Sequence, residues 1–152
     1  MNTEAEIKEY IASLPKAKSN EMEELHTLIL DIMPTTKLWF LDGKNEQGKV
    51  VSNPNIGYGS QLIKAASGAK SKDTTRAFYQ VGISANTSGI SIYIIGLEDK
   101  MLLSNTFLNK IGKASITGYC IKFKTLKDIN LEILKEVIRF GFKSHDERNK
   151  AN

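Results

Sequence analysis

The strongest constraint in this chain is a pair of β-branched, aromatic runs, Arg76 to Ser84 and Gly89 to Gly96, joined by the small and polar residues Ala85 to Ser88. Val, Ile, Tyr and Phe suit the pleated, half-buried setting of a strand. A short polar link between two such runs predicts a β-hairpin. Alternation in the second run puts Ile90, Ile92 and Ile94 on one face and Ser91, Tyr93 and Ile95 on the other. In the first run Tyr79, Val81 and Ile83 share a face, opposite Arg76, Phe78 and Gln80.

A face of isoleucines needs cover, and both chain ends offer it. Ile7, Ile11 and Leu14 recur at helical spacing, as do Leu25, Leu28, Ile29 and Ile32. Thr3 with Glu6, and Asn20 with Glu23, fit capping boxes, in which side chains satisfy free N–H groups at a helix start. The spacing predicts helices from about Glu4 to Leu14 and from near Asn20 to Pro34, each stopped by proline. A third box, Thr125 with Asp128, precedes a helix expected over Ile129 to Phe142, with Ile133, Leu134, Val137 and Ile138 on its apolar face.

Between these helices lie further strands, expected over Lys37 to Leu41, Gln61 to Ala66 and Thr117 to Lys124. In the last, Tyr119, Ile121 and Phe123 alternate with Gly118, Cys120 and Lys122. Asp42 to Gly48, Asn53 to Gly59 and Ser67 to Asp73 read as turns and connections, and Asp99 to Ile111 as short helical turns closed by Gly112. Strands cluster in the middle and do not alternate with long helices. The expected class is therefore α+β: an antiparallel sheet packed on one face by two N-terminal helices and a C-terminal helix. Residues 1–143 form one domain, followed by a polar tail over 144–152.

At 152 residues the chain is long enough for one hydrophobic core. Its only cysteine, Cys120, rules out an intrachain disulfide and suits a reducing compartment. The opening MNTEAEIKEY lacks a secretory pattern, and the apolar runs are too short to span a bilayer, so a cytoplasmic location is expected. The net charge of +4 is uneven: residues 1–33 hold three Lys against seven Asp and Glu, and the remainder is basic. Because no dense basic run appears, the lysines read as a solvated surface and nucleic acid is not the expected partner.

Chemistry-bearing residues are sparse. His26 and His145 have no ligand-spaced partners, which excludes a structural zinc site, and His26 reads as a partly exposed helix residue. Gly57-Tyr58-Gly59 lacks the spacing of a phosphate loop. No catalytic motif is recognisable, so an enzyme using Tyr and Lys as acid–base groups is a third reading, and a non-enzymatic binding domain is the leading expectation. Its candidate ligand-binding residues are Trp39, Asn53, Asn55, Tyr58, Arg76, Tyr93 and Lys122. The asparagines and Tyr58 would rim a pocket from a loop at the sheet end. Arg76, Gln80, Ser91, Tyr93 and Lys122 would give the helix-free face two cations on an aromatic floor. Such a face suits a small anionic molecule or a protein. Cys120 reads as a buried structural thiol, with Lys122 on the same strand face. No cofactor is expected on this reading. On the alternative reading, the carboxylates Glu4, Glu6 and Glu9, with Glu21, Glu23, Glu24 and Asp31, offer oxygen ligands to a hard cation such as iron.

The segments EIKEYIASLP, NPNIGYGS, FYQVGISANTSGISIYIIG and LNKIGKASITGYCIKFKTLKDINLEILKEVIR together resemble the YdhG-like family of domains of unknown function, over roughly residues 4 to 141. The resemblance implies an α+β fold somewhat like frataxin. For one bacterial branch it implies an intracellular iron chaperone serving iron–sulfur assembly, a role that would fall here on the acidic residues of the first two helices. The loop around Asp42 to Asn53, together with Trp39, marks a longer branch.

Overall fold

The computed structural model describes residues 2–64, 75–97, 99 and 101–151, with side chains for all of these but 64, 75 and 144–151. The chain begins with two helices, α1 (Thr3–Ser13) and α2 (Lys16–Ile32). Strands β1 (Leu38–Leu41), β2 (Asn55–Tyr58), β3 (Gln61–Lys64), β4 (Thr75–Phe78), β5 (Val81–Asn86) and β6 (Gly89–Ile94) follow. After helix α3 (Leu102–Phe107) come β7 (Ser115–Thr117), β8 (Cys120–Phe123), a 3-10 turn (Leu126–Asp128) and the long helix α4 (Leu131–Ala151). Six strands form one antiparallel sheet in the order β1-β2-β5-β6-β8-β7, and β3 and β4 pair as a separate ribbon. The class is α+β, as the segregation of strands from long helices requires.

The hairpin sets the core. Val81 pairs with Ile94, Ile83 with Ile92 and Ala85 with Ile90, and all six are buried on one face. Ile56 and Tyr58 of β2 and Ile121 and Phe123 of β8 extend that face. Three helices cover it. Tyr10 of α1 reaches Phe40 of β1, with ring centroids 5.6 Å apart. Met22, Leu25 and Ile29 of α2 and Leu134, Val137 and Ile138 of α4 are sealed against the sheet. Gly141 lets α4 sit close, since a Cβ there would come within 3.0 Å of Val81 and 3.2 Å of Ile94. Tyr10 also closes a gap in the ladder: β5 outruns β2, and the free Ala85 N–H donates to the Tyr10 hydroxyl at 3.1 Å.

Several boundaries differ from expectation, each for a local reason. The cap of α1 is Asn2, whose side chain accepts from Ala5 N at 2.8 Å, and not Thr3. Helix α2 starts at Lys16 directly after Pro15, ahead of the expected Asn20–Glu23 box, because proline is tolerated at a helix entrance. The expected single strand over Arg76 to Ser84 breaks at Tyr79-Gln80 into β4 and β5. The expected strand over Thr117 to Lys124 is a tight hairpin, in which Thr117 pairs with Cys120 around Gly118 (φ 57°) and Tyr119. Glycine with positive φ at the first of two turn residues is the favoured arrangement.

Thr125 does bond Asp128, at 2.9 Å, but in the 3-10 turn; α4 is capped by Asn130, which accepts from Glu132 N at 3.1 Å. Helix α4 also runs past Phe142 to Ala151, through the segment read as a tail, where no proline stops it. The expected connection Ser67 to Asp73, and Ala65 and Ala66 of the expected third strand, lie outside the described residues.

Candidate functional site

The face of the sheet turned away from the helices is built from the other parity of each strand: Trp39 and Leu41, Gly57, Gly82 and Ser84, Ser91 and Tyr93, Cys120 and Lys122, Ser115 and Thr117. Its two halves differ. Over β1, β2 and β5 the face is roofed by the chain itself. Gly57 and Gly82 are paired in register, and a Cβ on either would strike the Tyr79 ring, at 2.1 Å and 2.5 Å. The glycines are therefore the bed on which Tyr79 lies, and Tyr79 is buried. Phe78 stacks on Tyr79 at 4.2 Å between centroids, and Trp39 meets Phe78 edge-on at 6.0 Å. Lys37 lies over the Trp39 ring at 4.4 Å and Arg76 over Phe78 at 4.8 Å.

Over β6, β8 and β7 the face is open. Tyr93 is half-buried and Tyr119, at the tip of the β7–β8 turn, is 54% exposed, with ring centroids 6.3 Å apart. Lys122 is exposed between Ser91 and Ser115 on its neighbouring strands. Ser91 is buried and accepts from Asn86 Nδ2 at 3.2 Å. Cys120 is half-buried beside Tyr93, not sealed in the core as a structural thiol would be. Burial pushes its thiol pKa up, against the pull of Lys122, so the reactive thiolate is disfavoured. Burial likewise raises Tyr93. Among the described residues no strand contains Asp or Glu, and the carboxylates of the chain's start sit on α1 and α2.

The structure divides the residues singled out from sequence. Trp39 and Arg76 join the aromatic roof, and Tyr93 and Lys122 the open half of the same face. Trp39 spends its indole N–H on Gly59 O at 2.7 Å. Asn53 is exposed in the loop before β2. Asn55 lines a cleft of roughly 400 Å³ with Glu6, Asp42 and Lys44, and its buried Oδ1 has no hydrogen-bond partner among the described residues.

Tyr58 is the main correction. The Asn53 to Gly59 segment reads as a turn, yet Asn55–Tyr58 is a central strand and Tyr58 is fully buried on the helix side. Its hydroxyl lies 2.7 Å from His26 Nδ1, a pairing that neither residue's neighbours announce. Desolvation lowers the His26 pKa, opposed by Glu23 and Glu4, and raises that of Tyr58. Gln80 also leaves the open face: it is buried, accepts from Ser60 N at 3.2 Å and donates to Phe142 O at 3.4 Å. Alternation predicts Tyr119 beside Ile121 and Phe123; the turn lifts it out. The Gly118-Tyr119 pair is the signal that marks it.

Glu4, Glu6 and Glu9 do not converge. At about 100° per residue, Glu4 and Glu6 point to nearly opposite sides of α1. Among the described residues no group of three His, Cys, Asp or Glu side chains is arranged to hold a metal ion. A second, wider cleft of roughly 730 Å³ runs between α2 and α4, lined by Glu24, Leu28, Asp31, Leu131, Lys135 and Arg139. Its walls carry opposite charges, and Lys135 is already held by Glu132 at 3.0 Å. Among the described residues no helix is long and apolar enough to cross a membrane. Comparison with family models, with curated proteins and with solved structures gives no match to this chain.

Proposed function

We propose that this chain is a binding domain of YdhG-like type that docks a macromolecular partner on the open half of its helix-free face. The YdhG-like assignment rests on the sequence segments alone. The observation that carries the docking reading is the group Tyr93, Tyr119 and Lys122 on the helix-free side of the sheet. A solvated sheet face with no task is usually dressed in polar side chains, whereas an amphipathic ring left half in water contributes binding area at little entropic cost.

The placing of the described clefts favours a large partner over a small molecule. The clefts described above are lined by other residues, and a drug-sized ligand needs a concavity to bury most of its surface. Catalysis is the poorer reading because the close His26–Tyr58 pair, found among the described residues, has its tyrosine sealed in the core.

A photo-reactive phenylalanine analogue at position 119, introduced into the protein in the cells that make it, tests this. Adducts are expected from position 119 and not from the exposed α1 position Lys8. No adduct at 119, or equal yields at both positions, would remove the proposal.

A further inference from the structure

We infer that the partner taken by this face is single-stranded nucleic acid, its bases stacking on Tyr119 and Tyr93 and its phosphates meeting Lys122 and Arg76. The inference rests on the docking reading and deepens it. Three observations converge. Tyr93 on β6 and Tyr119 in the β7–β8 turn have ring centroids 6.3 Å apart, close enough to take neighbouring bases, and Tyr119 is 54% exposed. Every base has a π-face, so an aromatic platform on an open antiparallel sheet holds single strands without needing a particular sequence. The described strands hold no carboxylate, while α1 and α2 together carry seven against three lysines. A polyanion is therefore steered to the sheet side and away from the helices.

A cation accompanies each half of the aromatic band. Lys122 lies on β8 beside Tyr93's partner Cys120, and Arg76 lies over Phe78 at the roofed end. The hydroxyls of Ser115 and Thr117 on β7, opposite Lys122 and Cys120, add neutral partners for sugars or base edges. An acidic peptide would satisfy the cations but leave the rings without partners. Arg76 and Lys122 stand far apart in the chain, so a search for basic runs does not find them; the β3–β4 ribbon carries Arg76 over the aromatic roof, and β8 carries Lys122 on the open half.

Fluorescence anisotropy of the full chain with labelled uridine and thymidine oligomers tests the inference, with the matching duplex and polyglutamate as comparison probes. Single strands are expected to bind and the duplex, whose bases are already stacked, to bind less. Two phosphate contacts predict a log affinity against log salt slope of about −1.4. Tyr119→Ala is expected to weaken binding roughly tenfold at unchanged slope, as loss of one stacked base does. Lys122→Ala is expected to weaken binding to every sequence alike and to flatten the slope by about 0.7. Both positions are exposed, and melting curves verify that the variants fold. No binding at low salt, or binding indifferent to both substitutions, overturns the inference. If polyglutamate binds through Tyr119 and Lys122 while the oligomers do not, nucleic acid is excluded and the docking face stands. If neither probe binds and position 119 gives no photo-adduct, both readings fall.

Discussion

Ile92 and Tyr93 are neighbours in β6, yet the first is sealed beneath helices and the second stands half in water. The pleat sends them to opposite faces, and the two faces are finished differently. On the helix side Ile, Val and Leu interdigitate with α1, α2 and α4. On the other side the covering is local: Tyr79 lies on Gly57 and Gly82, Phe78 on Tyr79, and beyond them nothing from the described residues roofs Tyr119 and Lys122. Stability is invested in one face, which leaves side chains on the other free to differ without unfolding the domain.

Substitutions on the two faces sharpen that contrast. Ile92→Ala on the sealed face is expected to cost about 2–5 kcal/mol in urea unfolding, through lost transfer energy and a residual cavity. A loss below about 1 kcal/mol would mean the core is looser than its burial indicates. Gly57→Ala is expected to cost about 1–3 kcal/mol, because the new methyl overlaps the Tyr79 ring and must displace it. Adding Tyr79→Ala should recover part of that loss; strict additivity of the two would show that the ring is not what the glycine accommodates.

The His26–Tyr58 pair gives a smaller, pH-dependent effect. Tyr58→Phe removes a hydrogen bond and strands His26 Nδ1, for about 1–2 kcal/mol. Because burial holds the His26 pKa below its unfolded value, the unfolded chain binds the proton first. The stabilisation is present above the unfolded histidine value near about 6.5 and is lost as pH falls through the lower folded value. Urea midpoints should therefore drop on acidification through that window, and the drop attributable to His26 should vanish in His26→Gln. An identical pH profile in the variant would contradict the assignment. Smallest of all, Tyr119→Ala and Lys122→Ala should change stability by no more than about 0.5 kcal/mol.

What the sequence disclosed, and what it hid, follows the same division. The alternating isoleucines of β6 and the helical stripes of α2 and α4 are local patterns, so the core face and the α+β class were legible. The Asn55–Tyr58 strand was not. Asn, Pro and Gly mark turns locally, and Gly57 is there to admit a ring from Tyr79, a contact made only after the sheet assembles. The same holds for His26 and Tyr58, which meet across α2 and β2. The helix-free face with Tyr93 and Lys122 was legible from parity. Tyr119 was not legible, because a tight turn over Gly118 and Tyr119 interrupts the alternation.

Hydroxyl-radical footprinting read residue by residue on the tyrosines tests the contrast between faces most directly. Tyr119 is expected to oxidise fastest, Tyr93 more slowly, and Tyr58 and Tyr79 hardly at all, in line with exposures of 54% for Tyr119, 0% for Tyr58 and 4% for Tyr79. Protection of Tyr119 to the level of Tyr58 in the isolated protein, or rapid oxidation of Tyr58, would contradict it.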